Sequence, residues 1–437
     1  MLDLDEHRCT TTLPVMSFPS YLSRHFMFLR SASSALLLVA AFAGTALTDD
    51  WPQFRGPARD GVSKEKGLLQ EWPKDGPPLS WSVKGLGGGY STVSVAGDRL
   101  YTLGNRGKDS HIIALDRKTG AIIWTAEVGT AGGNLGCTPT VDGDHVYALG
   151  QMGDLVCIDH DGKRVWHRDV MKEFGGVKGG WNYCESPLID GDRVIVTPGG
   201  KDATVVALNK KTGETIWTCP LPLKHTEAGY SSVVVAQPGG VKHYVQLVNG
   251  GLVGIGTDGK FLWKYEKLGP NTANIPTPII TGDYVFASAG YGKGAALLKF
   301  KVDGKNVSVE EVYFKRELTN KHGGVIRVGD FVYGDTDDQG KPFCAEATTG
   351  RIRWKRSEEG TGRGSAAVVY ADGRLYFHYD NGIVSLVEAS PTAFKEVGSF
   401  QAPKRSGPSW AHPVVSDGHL YIREGDMLYC YDVRAGR

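Results

Sequence analysis

The segment ALDRKTGAIIW, residues 114–124, decides the fold of this chain, because variants of it return along most of its length. The variants CIDHDGKRVW, ALNKKTGETIW and CAEATTGRIRW occupy residues 157–166, 207–217 and 344–354. Each has a small residue at its start, then an acidic or amide residue, a turn with glycine and a terminal Trp. Units that return about every 40 to 50 residues are typical of blade-built β-propellers. We therefore predict a ring of similar sheets.

Eight such units follow one another. Seven of them open with a Gly-Asp or Asp-Gly turn, at residues 97–98, 143–144, 191–192, 282–283, 329–330, 372–373 and 417–418, and the fourth runs through Tyr244. Five end on a Trp, the fifth has Tyr313 there, and the seventh has a degenerate end at Phe400. The turn glycines supply the positive φ that tight hairpins need. We predict an all-β, eight-bladed propeller of four-stranded antiparallel blades.

The eighth unit contains Tyr421 and Cys430 and stops before its Trp strand. The missing strand is predicted at the other end of the chain, where LSWSV, residues 79–83, resembles IIWTA, residues 122–126. A ring closed in this way leaves only short, protected strand edges. We therefore expect the N-terminal strand around Trp81 to complete the last blade.

The N-terminal region predicts an exported protein. The stretch Arg24–Arg30 precedes a short apolar run, Ala35–Ala43, that ends in an Ala-x-Ala pattern. This order indicates a secretory signal peptide, and the run is too short for a comfortable transmembrane helix; an uncleaved anchor is the alternative. We expect residues 1–48 to be signal peptide and leader and residues 49–437 to form a single propeller. The mature chain would be periplasmic or secreted, without a transmembrane span.

Charge and cysteine content narrow the function further. A formal net charge of +1 over 437 residues gives no reason to expect nucleic acid or an acidic membrane as a partner. Three of the seven cysteines stand at the small-residue position of the repeat, and we expect them to be buried (Cys157, Cys344 and Cys430). Cys137 and Cys184 are expected on adjacent inner strands, and whether they pair stays open. No Cys-x-x-Cys pattern indicates a metal or redox site.

The repeat, above all residues 114–124, closely resembles that of pyrroloquinoline-quinone (PQQ) type propellers. The stretch WPQFRGP, residues 51–57, also resembles the mature start of secreted bacterial members, and the resemblance covers about residues 51–437. It implies one of two kinds of protein. One is a quinoprotein alcohol dehydrogenase with PQQ and calcium on the propeller axis. The other is a non-catalytic propeller similar to that of the bacterial outer-membrane assembly machinery. In both kinds the repeat Trp residues dock neighbouring blades, so they do not indicate a cofactor.

The loops that enter the innermost strands should converge at one mouth of the central channel. Loops on a rigid scaffold usually carry function. We predict a binding site at this mouth that is built from Trp181, Glu185, Asn274, Lys321, Arg363 and Trp410. The same loops carry His225, Glu227, Tyr230, His322 and His412. No His spacing among them matches a metal motif.

A dehydrogenase site would need cations for the three PQQ carboxylates and a flat apolar surface for the ring. The candidate cations are Lys321 and Arg363, and the candidate surface is Trp181 or Trp410. The resemblance implies a Glu and an Asn as calcium ligands, which here would be Glu185 and Asn274. The resemblance also implies an Asp that acts as a base, but Lys321 and His322 stand at that place. The adjacent-cysteine pair and the roofing insertions of such enzymes are also missing.

The acidic run DTDDQG, residues 335–340, partly resembles a calcium loop. It lacks the distal Glu of an EF-hand and is placed between strands. We therefore expect an exposed acidic turn there.

Three functions stay open, and no catalytic residue is assigned. The favoured one is an exported scaffold that binds an envelope protein or a small polar ligand at the channel mouth. The second is a PQQ- and calcium-dependent dehydrogenase that acts on an alcohol or a sugar. The third is a glycan-acting enzyme with Glu185 and Glu227 as its carboxylate pair, which depends on their separation.

Overall fold

The computed structural model describes residues 50–436 except 134, 271–273, 357–361 and 404–406. The prediction of a signal peptide and leader, residues 1–48, lies outside the described residues. Within the described ranges, none of the helices has the length and apolar character needed to cross a membrane. The described residues belong to one compact unit, Leu47–Arg437.

The described part of the chain forms eight four-stranded antiparallel sheets. The first strand, β1, is Leu79–Lys84. The next seven sheets each consist of four consecutive strands, ordered from the channel outward. Blade 1 is β2–β5 (Ser94–Ala96, Arg99–Arg106, Asp109–Asp116, Ile122–Thr130), blade 2 is β6–β9 (Thr140–Asp142, His145–Leu149, Asp154–Asp159, Arg164–Asp169) and blade 3 is β10–β13 (Leu188–Asp190, Arg193–Val196, Val205–Asn209, Thr215–Cys219). Blade 4 is β14–β17 (Val234–Ala236, His243–Val248, Gly251–Gly256, Phe261–Tyr265) and blade 5 is β18–β21 (Ile279–Thr281, Tyr284–Ala289, Gly294–Asp303, Asn306–Lys315).

Blade 6 is β22–β25 (Val325–Val328, Phe331–Asp335, Pro342–Glu346, Ile352–Lys355) and blade 7 is β26–β29 (Ala366–Ala371, Arg374–Tyr379, Ile383–Glu388, Glu396–Gln401). Blade 8 contains β30–β32 (Val414–Ser416, His419–Glu424, Met427–Asp432). The described ranges also contain one short α-helix, α1, at Val170–Phe174, and two 3₁₀ turns at Pro238–Gly240 and Arg316–Leu318.

The N-terminal strand closes the ring. Strand β1 pairs antiparallel with β32 as the outermost strand of blade 8, and Trp81 lies opposite Cys430. The indole of Trp81 also packs on the turn of blade 1, where a Cβ on Gly120 would lie 2.5 Å from the ring. The predicted eight-bladed, four-stranded architecture and its closure by the N-terminal strand are therefore confirmed.

The repeat Trp residues dock each blade against the next. In blade 2, Trp166 lies opposite the buried Cys157, which explains why the repeat keeps a small residue at that position. Its indole N–H donates to the carbonyl of Lys210 in blade 3 at 2.9 Å. Equivalent bonds join Trp124 to His160, Trp217 to Thr257 and Trp354 to Ser390, at 2.8 to 3.1 Å. The buried positions of Cys157, Cys344 and Cys430 agree with the sequence prediction.

Blade 7 fills this docking position differently. Gly398 occupies the register of the repeat Trp, opposite Leu386, and Phe400 lies two residues further along. The indole of Trp72, from the segment before β1, packs against Phe400 and Tyr376 with ring centroids 5.3 and 5.8 Å apart. A Cβ on Gly398 would lie 2.6 Å from the Cβ of Trp72. A residue from the N-terminal region thus replaces the missing Trp of blade 7.

Residues 51–63, which we call the channel segment, run across the inner strands. Trp51 exchanges backbone hydrogen bonds with Val95 of blade 1, and Gly61 accepts one from Tyr370 of blade 7. Between these ends, the buried guanidinium of Arg59 donates to the carbonyls of Ser186 and Val233, both at 3.1 Å. The channel segment, which begins with the WPQFRGP stretch, therefore joins the inner strands of several blades, and the sequence alone did not predict this.

Candidate functional site

One large cavity lies at the channel mouth, where the loops that enter the inner strands meet. Its empty volume is about 930 Å³, part of which is open to solvent. Side chains from most blades line it, among them Phe54, Arg55, Tyr90, Trp181, Cys184, Tyr230, Ile275, Lys321, His322, Trp410 and His412. We call it the mouth cavity.

Aromatic rings form two walls of the mouth cavity. In one wall, Trp410 packs against Tyr90 and His322, with ring centroids 4.6 and 5.1 Å apart. In the other, Trp181 packs against Tyr230 and Tyr291 at 5.4 and 6.4 Å. The Trp181 backbone N–H also donates to the Tyr230 hydroxyl at 3.1 Å. Such walls offer large apolar contact area at low conformational cost.

The channel segment contributes Phe54 and Arg55 to the lining of the mouth cavity. Phe54 meets His412 edge-on with ring centroids 4.9 Å apart. The guanidinium of Arg55 donates to the carbonyls of Val325 and Asp60 at 2.6 and 2.8 Å. Burial lowers the pKa of Arg55 to about 10, against the raising effect of Asp60. Arg55 therefore stays charged at neutral pH, and its carbonyl partners hold it in place.

The only lysine among the lining residues is already engaged. The ammonium group of Lys321 lies 2.7 Å from an Asp338 carboxylate oxygen and 5.0 Å from the centre of the Tyr291 ring. Burial, assisted by the charge of Lys321, lowers the pKa of His322 to about 3. Burial and the charge of Arg55 likewise lower the pKa of His412 to about 3. Both imidazoles are therefore neutral, so Arg55 and the paired Lys321 are the charged side chains in the lining of this aromatic cavity.

The structure brings three of the six predicted site residues together. Trp181, Lys321 and Trp410 line the mouth cavity. Arg363 is exposed outside the lining, and its backbone N–H donates to the Asn381 side chain at 3.2 Å.

Glu185 and Asn274 are buried within the blades, 2% and 0% exposed. The Glu185 carboxylate accepts hydrogen bonds from the Thr197 backbone N–H at 2.7 Å, the Thr197 hydroxyl at 3.1 Å and the Gln246 amide at 3.3 Å. The Asn274 amide donates to the carbonyls of Val248 and Asn249 at 2.6 and 3.0 Å. Neither side chain lines the mouth cavity.

These positions do not fit a PQQ–calcium site. A calcium ion needs six to eight oxygen ligands, whereas the Glu185 oxygens are engaged by Thr197 and Gln246 away from the cavity. Of the two cations proposed for the PQQ carboxylates, Lys321 is paired with Asp338 and Arg363 lies outside the lining. Whether any of the six residues binds a ligand stays a prediction.

Three smaller expectations can be compared with the geometry. Glu227 is half-exposed and accepts from Asn249 at 2.9 Å, while Glu185 is enclosed, so the two carboxylates do not flank an open cleft. Among the described residues, no disulfide joins Cys137 and Cys184. The acidic turn is only partly exposed, because Asp335 is buried.

A repeat position that sequence reasoning missed builds the cavity. Tyr90, Cys184, Tyr230, Ile275, Lys321 and Trp410 each stand four residues before the innermost strand of their blade. Because side chains of an extended segment alternate, the residue three before that strand points the other way. Glu185 holds that second position, which explains its burial. The spacing from each inner strand was the signal that would have added Tyr90 and would have placed Tyr230, named above only as a residue of these loops, in the predicted site. Phe54 and Arg55 had no such signal.

Comparison with known proteins agrees with the repeat. The family model described as outer membrane protein assembly factor BamB matches residues 108–356. The BamB of Burkholderia pseudomallei is 31% identical over 171 residues, which are 37% of this chain and 40% of that protein. The BamB of Moranella endobia is 23% identical over 264 residues, 54% of this chain and 59% of that protein. The chain thus spans less than two thirds of either relative.

A solved structure resembles the fold alone. The quinohemoprotein alcohol dehydrogenase from Comamonas testosteroni superposes with a TM-score of 0.62 at 15% identity, over 89% of this chain and 81% of that one. At that identity the likeness concerns architecture, since one fold serves unrelated functions.

Proposed function

Because this chain belongs to the PQQ-repeat family described as outer membrane protein assembly factor BamB, we propose that it is a protein-binding scaffold of the cell envelope. The relatives from Burkholderia pseudomallei and Moranella endobia carry that name. A signal peptide in residues 1–48, as the sequence predicts, would deliver the chain to the same compartment.

The observation that carries the proposal is the mouth cavity with its two aromatic walls. Interfaces concentrate their binding energy in a few buried aromatic anchors surrounded by contacts that exclude water. Here Trp410 belongs to one aromatic wall and Trp181 to the other, and the cavity that they line has an empty volume of about 930 Å³. Of the two cationic side chains in the lining, Lys321 is paired with Asp338 and Arg55 is held by backbone carbonyls, so the aromatic rings provide most of the contact surface. We infer that the partner inserts an apolar or aromatic side chain.

The test is capture of a partner from a cell-envelope extract by the purified chain. The double variant Trp181→Ala/Trp410→Ala should bind a reproducible partner at least about 30-fold more weakly and recover correspondingly less of it, since one hot-spot truncation costs about 2 kcal/mol or more. The control is Ile123→Ala, which changes an exposed residue of the outer strand β5 and should leave recovery unchanged. Equal recovery by the double variant and the unchanged chain would contradict a docking site at the mouth.

For the dehydrogenase alternative, the candidate stacking residues Trp181 and Trp410 line the mouth cavity, but the candidate calcium ligands do not. Glu185 and Asn274 are turned into the blades. A direct check is to add PQQ and calcium to the purified chain and desalt it. Retained quinone absorbance, with dye reduction by an alcohol, would restore that alternative.

A further inference from the structure

We propose that His322, Asp338 and Asp380 form a binding site for Zn²⁺ at the edge of the mouth cavity. One ligand atom from each residue lies within 4.8 Å of the others. His322 belongs to the loop before β22, Asp338 to the loop between β23 and β24, and Asp380 to the loop between β27 and β28. Two neighbouring blades thus supply the three side chains at one end of the propeller.

His322 is the strongest indication of a ligand. Its side chain is only 11% exposed and packs against Trp410. Both ring nitrogens are buried and have no hydrogen-bond partner among the residues that the structure describes. A buried polar group without a partner costs about 1–3 kcal/mol. Its Nε2 lies 3.9 Å from Asp380 Oδ1, so a cation between them would satisfy the imidazole.

Ser365 holds the Asp338 carboxylate and the Asp380 backbone in place. The Ser365 hydroxyl donates to Asp338 Oδ1 at 2.9 Å, and the Asp380 backbone N–H donates to the Ser365 carbonyl at 2.9 Å. A Cβ on Gly364 would lie 2.4 Å from the Asp380 side chain, so this loop approaches the carboxylate closely. Outer hydrogen bonds of this kind hold metal ligands in position.

The donor set favours zinc over the hard cations. Calcium and magnesium prefer oxygen ligands alone, whereas Zn²⁺ combines an imidazole nitrogen with carboxylate oxygens. Zinc bonds of about 2.0–2.2 Å place tetrahedral ligand atoms about 3.4 Å apart, so side-chain movements of about 1 Å would close the site. Three protein ligands would leave the fourth position to water or to a group in the cavity that His322 lines.

Lys321 would compete with the metal ion for the Asp338 carboxylate. Its ammonium group lies 2.7 Å from Asp338 Oδ2 and would have to release that oxygen when the metal binds. It also contacts the Tyr291 ring, where it can remain as a cation–π partner. Replacing Lys321 with an uncharged residue should therefore strengthen metal binding.

The experiment is titration of the metal-free purified chain with Zn²⁺ by calorimetry, with Co²⁺ absorption as a probe of tetrahedral geometry. We expect one site per chain. His322→Ala and Asp380→Asn should each weaken the Kd by about 10- to 100-fold. Lys321→Met should lower the Kd by about threefold to fivefold, the upper part of the range for ion pairs near the protein surface. A gain in affinity cannot result from misfolding.

The matched control is His167→Ala in blade 2, which removes an exposed histidine 2.9 Å from Asp154 and should leave the Kd unchanged. Zn²⁺ binding that persists in His322→Ala, or weakens in Lys321→Met, would overturn the site. So would the absence of stoichiometric binding. Metal binding is measured without a partner protein, so its failure would leave the proposed scaffold function untouched.

Discussion

Glu185 shows how burial can outweigh favourable hydrogen bonds to a carboxylate. Burial raises its pKa to about 8, although the donors of Thr197 and the charge of Arg59 act in the opposite direction. Between about pH 4.5 and pH 8 the folded chain therefore holds a proton that the unfolded chain has released. The stability that this proton provides is complete at low pH and is lost as the pH rises through about 8.

We predict that Glu185→Gln removes this pH dependence. Glutamine has a similar shape and stays neutral at every pH, so position 185 then binds and releases no proton. Near the middle of the window the unfolding free energy of the unchanged chain should fall by about 1.4 kcal/mol per pH unit more than that of the variant. Urea unfolding from pH 5 to pH 8 measures the unfolding free energies of both chains. The control is Glu227→Gln, which removes a half-exposed carboxylate. Parallel profiles would refute the assignment.

For single residues, the sequence predicted well which loops surround the mouth cavity. It predicted less well which side chains of those loops face the cavity. Trp181, Lys321 and Trp410 line the mouth cavity as expected. Glu185 sits one residue out of phase with the lining positions, and a one-residue shift turns an extended side chain to the other face. The exact start of each inner strand decides this phase, and the sequence leaves it uncertain by more than one residue.

At the scale of elements, one contact recurs between blades. The Trp166 indole lies on the glycine turn of blade 3, where a Cβ on Gly213 would be 3.0 Å away, and donates to Lys210. The neighbouring Val165, on the same outer strand, is exposed. Trp166 and Val165 thus lie on the same strand, but only the side chain of Trp166 is buried against the next blade.

We predict that Trp166→Ala lowers the unfolding free energy by about 3–5 kcal/mol, the usual cost of truncating a large buried aromatic residue. Val165→Ala should change it by no more than about 0.5 kcal/mol, as expected of an exposed side chain. Urea unfolding followed by Trp fluorescence and circular dichroism compares the two. Similar losses in both variants would mean that strand propensity, and not docking, stabilises the blade.

The repeat predicted the blades because turn, strand and docking residue return together in nearly every unit. It placed the end of blade 7 at Phe400, whereas the docking position there is Gly398. The compensating Trp72 is more than 300 residues away in the chain. Nothing in the local pattern links the two positions, since their contact exists only after the ring has closed.

At the scale of the whole molecule, two parts of the N-terminal region connect blades that are far apart in the sequence. The channel segment joins inner strands of several blades through Trp51, Arg59 and Gly61. Strand β1 then completes blade 8 and places Trp81 on the blade 1 turn. Because both contacts join distant parts of the chain, the stability of the ring depends on the N-terminal region.

Two turn glycines of blade 1 provide a test of this closure. Gly120 and Gly97 both have positive φ, +72° and +57°, so alanine at either one costs about 1–2 kcal/mol of backbone strain. A Cβ at Gly120 would also strike the Trp81 ring at 2.5 Å, whereas nothing lies within 4 Å at Gly97. Gly120→Ala should therefore lower the unfolding free energy by about 1–3 kcal/mol more than Gly97→Ala does, which is the usual cost of an overpacked contact.

In a Trp81→Ala background this extra cost of Gly120→Ala should disappear, while the cost of Gly97→Ala should stay the same. The double-mutant cycle, measured as unfolding free energies in urea, isolates the contact between the N-terminal strand and blade 1. Additive effects of Trp81→Ala and Gly120→Ala would show that the two residues do not meet in solution. The ring would then be closed by the pairing of β1 with β32 and by the channel segment alone.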